Sequence, residues 1–164
     1  MNQNNIDRLL VAGPNDGEAF WVGDHKITIQ ADATETGGHY GLVVSESPAG
    51  TSPPWHVHHG VDEGTFVVSG EVRFRCGDED FTVGPGTFVL LPGDVPHTFL
   101  VVGDEDAIML GMISPGGSER YFAEIGEPAT GPAPATGPPD PDAVRRADER
   151  WGIDYVAGPP LRAD

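Results

Sequence analysis

Along residues 71–76, EVRFRC, apolar Val72, Phe74 and Cys76 alternate with polar Glu71, Arg73 and Arg75. A period of two marks a strand with one face buried and the other in water. Short runs rich in β-branched and aromatic residues recur: HKITIQ (25–30), YGLVVSE (40–46), GTFVVSG (64–70), DFTV (80–83), TFVLLP (87–92), HTFLVV (97–102) and AIMLGMI (107–113). Turn-prone stretches such as SPAGTSPP, CGDED, GPG and PGDVP separate them. That punctuation predicts an all-β, antiparallel sandwich or barrel. Within VSGEVRF, Ser69-Gly70 read as a tight hairpin turn whose two residues take positive φ. No internal repeat is present, so one set of strands is expected.

The pattern changes after residue 114. SERYFAEIGE places Ser118 as an N-cap ahead of a helical stripe of Tyr121, Phe122 and Ile125. EPATGPAPATGPPDP (127–141) is an extended linker, because its prolines break helix. A short helix follows, capped by Asp140, begun by Pro141 and stopped by Gly152, with Ala143, Ala147 and Trp151 on one face. Trp151, Ile153 and Tyr155 need cover, so the tail is expected to dock on the strands. The expected division is an N-terminal arm with a first strand region (1–24), a β domain (25–114) and a C-terminal helix, linker and docking tail (115–164).

Composition narrows the class. The 164 residues suffice for one domain with a real core. The chain carries 9 basic and 26 acidic residues, a formal charge of −17. Such a surface repels phosphate backbones, so nucleic acid and anionic membranes are poor partners. No run is long and apolar enough to span a bilayer, and the N-terminus has no signal-peptide pattern. Lone Cys76 cannot form an internal disulfide and reads as a small strand residue, so a reducing cytoplasmic location is expected.

Chemistry concentrates in HVHHGVDE, residues 56–63, which holds three of the six histidines. His56 and His58 are two apart, so on a strand both imidazoles face the same way, and His59 faces the other. Glu63 begins the next apolar run, and His97 begins another. Three imidazoles and a carboxylate suit a borderline divalent ion, not calcium or magnesium. Exposed histidines on an acidic surface are the competing reading.

The spacing Gly50, His56-x-His58, Glu63, Gly70 resembles the first motif of the cupin superfamily, and Gly86, Pro92, His97 resembles the second. Asp94 stands where the second motif has glycine, and Val101 where it has asparagine. The resemblance implies an all-β, cupin-type antiparallel jelly-roll barrel in one domain, with a short helical tail. It implies one divalent transition metal ion per chain (iron, manganese, nickel, cobalt, copper or zinc) held by His56, His58, Glu63 and His97. PPWHVHHGVDEGTFVVSGE, PHTF and RWGIDYVAGPPL are similar to single-domain bacterial proteins of the quercetin 2,3-dioxygenase-like group.

That likeness implies a metal-dependent dioxygenase acting on a flavonol-like or other enolisable aromatic or polyketide molecule, bound to the metal as its enolate, with Glu63 as catalytic base. A non-oxidative isomerase or cyclase shares the first step, and a non-catalytic small-molecule-binding barrel is a third possibility. If Glu63 and His97 face inward, parity adds Thr65, Val67 and Phe99 as substrate contacts, with Phe74, Phe88 and Val101 as further wall residues. His59 and Asp62 read as outward strand and turn residues, and His25 and His39 as surface polar ones. Expected partners are a small-molecule substrate, dioxygen and a second copy forming a homodimer that covers edge strands.

Overall fold

The computed structural model describes residues 9–14, 16–134, 137–158 and 161. Its strands are β1 (Glu18–Val22), β2 (His25–Ala31), β3 (Gly41–Ser47), β4 (His56–His58), β5 (Asp62–Ser69), β6 (Glu71–Cys76), β7 (Glu79–Val83), β8 (Phe88–Leu91), β9 (His97–Val102), β10 (Ala107–Ser114), β11 (Glu127–Pro128) and β12 (Ile153–Tyr155). Helices α1 (Ala33–Thr36), α2 (Tyr121–Ile125) and α3 (Pro141–Trp151) are short, and a 3₁₀ turn, Ser118–Arg120, leads into α2. The strands form a larger sheet, β11-β1-β2-β3-β10-β5-β8, facing a smaller one, β12-β4-β9-β6-β7, and every pair is antiparallel. The architecture is a two-sheet jelly roll with a short helical tail.

The core lies between the sheets and follows from alternation. On β6, Val72 and Phe74 are buried, while Glu71 is exposed. They pack with Val67, Val89, Leu91, Val101, Ala107 and Met109. A second cluster, Phe20, Ile27, Ile29, Val43 and Ile113, fills the β1-β2-β3 side. Each fully buried side chain of this size contributes about 1.5–3 kcal/mol.

Several expectations are corrected. Ser69-Gly70 is not a hairpin turn, since β5 lies in one sheet and β6 in the other. The chain crosses between sheets there, and of the two residues Gly70 alone takes positive φ, 81°. A Cβ on Gly70 would come within 2.9 Å of Ala107, so the crossing needs glycine for space as well as conformation. Ser118 does not cap a helix: its hydroxyl is buried without a partner, and its neighbour Glu119 fastens this corner instead. Completely buried, Glu119 accepts from Ala33 N–H at 2.7 Å and Gly117 N–H at 2.6 Å. Strand β12 and helix α1 were not anticipated.

The tail docks as expected. Asp140 caps α3, Pro141 occupies its first turn, and Gly152 ends it at φ 65°. Ala147 is completely buried, and Trp151 Nε1 donates to Glu124 on α2 at 3.2 Å. Beyond α3, β12 adds itself to β4, pairing Ile153 with His58 and Tyr155 with His56. The tail therefore becomes an edge strand beside two candidate ligands. No helix among the described residues is long and apolar enough to cross a membrane.

Candidate metal centre

The segment before β4 is stiffened by Pro53-Pro54, which delivers His56 and His58 onto one short strand. β4 pairs with β9 through His56 and His97, so three imidazoles meet on the smaller sheet. Their ring centroids are 4.6 Å apart for His56 and His97, 5.0 Å for His56 and His58, and 5.5 Å for His58 and His97. Glu63 reaches them from β5, on the larger sheet.

Backbone carbonyls orient two of the rings. His56 Nδ1 lies 2.8 Å from the Pro54 carbonyl oxygen, and His97 Nδ1 lies 2.9 Å from that of Val95. A carbonyl only accepts, so each Nδ1 carries hydrogen, and in a neutral ring the lone pair sits on Nε2. His97 Nε2 is 3.0 Å from Glu63 Oε2, and His58 Nε2 is 3.8 Å from Glu63 Oε1.

Burial alone would raise the Glu63 carboxyl, but His58, the hydrogen bond from His97 and the His56 ring outweigh it and bring it to about 2. Burial, reinforced by His97, lowers His56 to about 4. Burial also lowers His58. At neutral pH the cluster therefore presents an ionised carboxylate beside neutral imidazoles at His56 and His58, the forms that ligate metals.

These four residues fit a metal ion. Their ligand atoms lie within 4.8 Å of one another. Ligands about 2.1 Å from one ion sit about 3.4 Å apart in a tetrahedron and at most about 4.2 Å apart, so the widest pair closes by about an ångström to hold one. His58 Nδ1 is also buried without a partner, a polar group that the protein leaves unsatisfied beside the cluster.

Residues around the cluster brace it. His59 is exposed and spans two carboxylates, Asp94 at 2.8 Å and Asp154 at 3.0 Å, joining the turn before β9 to β12. Hydrogen bonds to Asp94 and Asp154 raise its pKa. Asp94 has φ 62°, the left-handed conformation for which glycine is favoured, and its paired carboxylate helps hold the turn there. Asp62 accepts from Gly93 N–H at 2.8 Å, fixing the same turn. The thiol of Cys76 is raised by burial, which keeps it protonated and unreactive.

The cluster opens into a cavity of about 570 Å³, within the usual range for small-molecule sites. Thr65, Phe74 and Phe99 line it together with the four cluster residues. Val67 and Val101 do not: both are packed into the core at 0% and 1% exposure. Phe88 is corrected outright. It is 55% exposed on the opposite face of the larger sheet, its ring lying over Gly64.

Several lining residues were not foreseen as contacts, among them Tyr121, Tyr155 and His25. Tyr121 donates to Asp148 at 3.1 Å, and its hydroxyl lies 3.2 Å from that of Tyr155. The Tyr155 ring centroid is 6.5 Å from that of His56, so the tail forms a wall of the cavity. His25, expected at the surface, also lines it. The alternation His25, Ile27, Ile29 carried that signal. His39 is exposed, as expected.

A family model described as "Cupin domain" matches residues 43–113. Quercetin 2,3-dioxygenase of Bacillus subtilis (strain 168) is 26% identical over 116 residues, which are 71% of this chain and 34% of that protein. The match thus spans about a third of that relative's length. Among solved structures, KdgF from Halomonas sp. superposes with a TM-score of 0.60 at 17% identity, covering 67% of this chain and 98% of that one. A predicted oxalate decarboxylase from Thermotoga maritima gives 0.60 at 17%, covering 65% and 99%. The nucleoside dehydratase Pac13, of Streptomyces, gives 0.55 at 15%, covering 68% and 87%.

Proposed function

We propose that this chain, whose residues 43–113 match the cupin-domain model, is a metal-dependent dioxygenase of small, enolisable aromatic molecules. The observation carrying this is the placement of His56, His58, Glu63 and His97 in the wall of a largely apolar cavity. When bound by these four residues, a divalent transition ion supplies the Lewis acidity that favours an ionised enol and its oxidation by dioxygen. The similarity to quercetin 2,3-dioxygenase supports an oxidative reaction on a flavonol-like substrate.

The residues of the chain supply the rest. Phe74 and Phe99 offer flat apolar contacts, and the tail's Tyr155 limits access of water from the β4 side. Glu63 takes the hydroxyl proton. The carboxylate oxygen not engaged by the ion is the accepting atom. A carboxylate that also holds an ion is a weak base, so proton transfer requires that hold to loosen as substrate enters.

The test is oxygen uptake by protein loaded in turn with iron, manganese, cobalt, nickel, copper and zinc, across a panel of enolisable aromatics. Equal turnover under argon would identify an isomerase or cyclase instead, and binding without turnover a non-catalytic barrel. Glu63→Gln is expected to retain metal while turnover falls about 100-fold or more, the usual contribution of a positioned base. Unchanged turnover would remove Glu63 from that role.

The same reading places the protein in a reducing cytoplasm, with its lone cysteine free. It takes the protein as a homodimer formed through the outer face of the larger sheet, where Phe66, Val68, Phe88, Leu90, Ile108 and Met112 are exposed. Among the described residues, the only charges registered beside Ile108 on this face, Lys26 and Glu46, pair at 2.8 Å, so two copies of net charge −17 meet here without direct repulsion. Light scattering should give twice the chain mass, falling to one chain in Phe88→Glu/Leu90→Lys; a monomeric parent protein would refute this.

A further inference from the structure

We infer that the cavity has a second polar pole, formed by His25 and Thr51, which receives a hydroxyl at the end of a flat ligand remote from the metal cluster. This rests on the proposed reading and specifies its substrate. Both residues line the same cavity as Glu63 and His97. His25 Nδ1 and Thr51 Oγ1 are buried polar atoms without a hydrogen-bond partner among the described residues. Native proteins pair nearly all such groups, so orphans in a cavity wall call for a ligand.

Strand register locates the pole. Lys26 pairs with Glu46, which sets His25 level with Ser47, and Ser47 pairs with Ala107. Glu63 pairs with Ile113, six residues further along β10. Six strand residues span about 20 Å. On the facing sheet, Val101 N–H donates to the Thr51 carbonyl at 3.0 Å, four residues along β9 from His97. Val101 and Ala107 pack in one cluster, so Thr51 and His25 lie toward the same end. Between this end and the cluster the lining is mostly apolar, including Ile27, Met109 and Phe99.

The local charges select the ligand group. Burial lowers the His25 pKa while neighbouring Asp24 opposes that shift. A neutral imidazole and a hydroxyl beside a carboxylate disfavour an anion and accept a neutral donor. The matching molecule is planar, uncharged at this end and hydroxylated there, with its enolisable group at the metal end. Carboxylates and phosphates are rejected at the His25 end.

The test measures binding without turnover, using protein loaded with redox-inert zinc. Calorimetric Kd values are compared for 3-hydroxyflavone, 3,4′-dihydroxyflavone and 3-hydroxy-4′-(4-hydroxyphenyl)flavone, the last having the reach that the strand register requires. One dihydroxy compound should bind about tenfold more tightly than 3-hydroxyflavone, as one satisfied buried hydrogen bond implies. His25→Phe should abolish that advantage, His25→Gln should restore part of it, and Thr51→Val should reduce it, with zinc content unchanged. If His25→Phe does not fold, Thr51→Val decides. A preference that survives these changes, or equal binding of all three compounds to the parent protein, overturns the subsite alone. Failure of all three to bind overturns the flavonol reading and the subsite together.

Discussion

Replacing His97 with alanine should strip the barrel of its metal, lowering affinity by 100-fold or more. His97 is 2% exposed, lies 3.0 Å from Glu63, and is fixed by the Val95 carbonyl, so no neighbouring side chain substitutes for it. Loss of a mere supporting partner costs about 10–100-fold in metal affinity. Removing a ligand should cost more, and it leaves the Glu63 carboxylate buried beside one fewer imidazole. Elemental analysis should find about one ion per chain in the parent protein and almost none in the variant.

Thermal unfolding gives a second readout. A ligand at 100 times its Kd stabilises the folded state by about 2.7 kcal/mol. For a chain of this size that corresponds to about 5–10 °C in Tm. The parent protein should gain this on metal addition, and His97→Ala should gain nothing. His39→Ala is the control, because His39 is exposed and belongs to neither the cluster nor the cavity wall. A full complement of metal in His97→Ala would dismantle the proposed centre.

What could be read from the chain divides along physical lines. Alternation decides which residues share a face, so the eight central strands were legible, as was the pairing of His56 with His58. Alternation does not decide whether an inward row meets another side chain or a void. Thr65 and Val67 share a face of β5, yet one lines the cavity and the other is sealed in the core. In the continuous apolar run TFVLLP, either parity satisfies the pattern. The structure turns Val89 and Leu91 inward and leaves Phe88 and Leu90 outside.

Glycine at residue 70 correctly marked a reversal of conformation, but turn chemistry cannot distinguish a hairpin from a crossing between sheets. Strand β12 depends on a partner distant in the chain. Tyr155 pairs with His56. Nothing within IDY makes a strand until β4 offers its edge. His25 shows the opposite failure: its alternation with Ile27 and Ile29 was visible, but an isolated histidine was given the commonest reading.

Phe74 and Phe88 make the contrast quantitative, since both were expected in the cavity wall. Phe74→Ala should destabilise the fold by about 3–5 kcal/mol, the usual range for an emptied phenylalanine site. Its side chain is 1% exposed, among Val67, Val72 and Val101. Its ring also lies 6.1 Å from that of Phe81 and 6.2 Å from that of Phe99, contacts that add to simple burial. The cavity beside it has no side chain able to fill the space, so little of the loss is recovered by collapse. Phe88→Ala, on the outer face, should change chain stability by about 1 kcal/mol or less and act instead on association between copies. Denaturant unfolding at concentrations low enough to dissociate a dimer separates the two effects. If the two substitutions cost the same, the inward row of β6 has been assigned to the wrong side of its sheet.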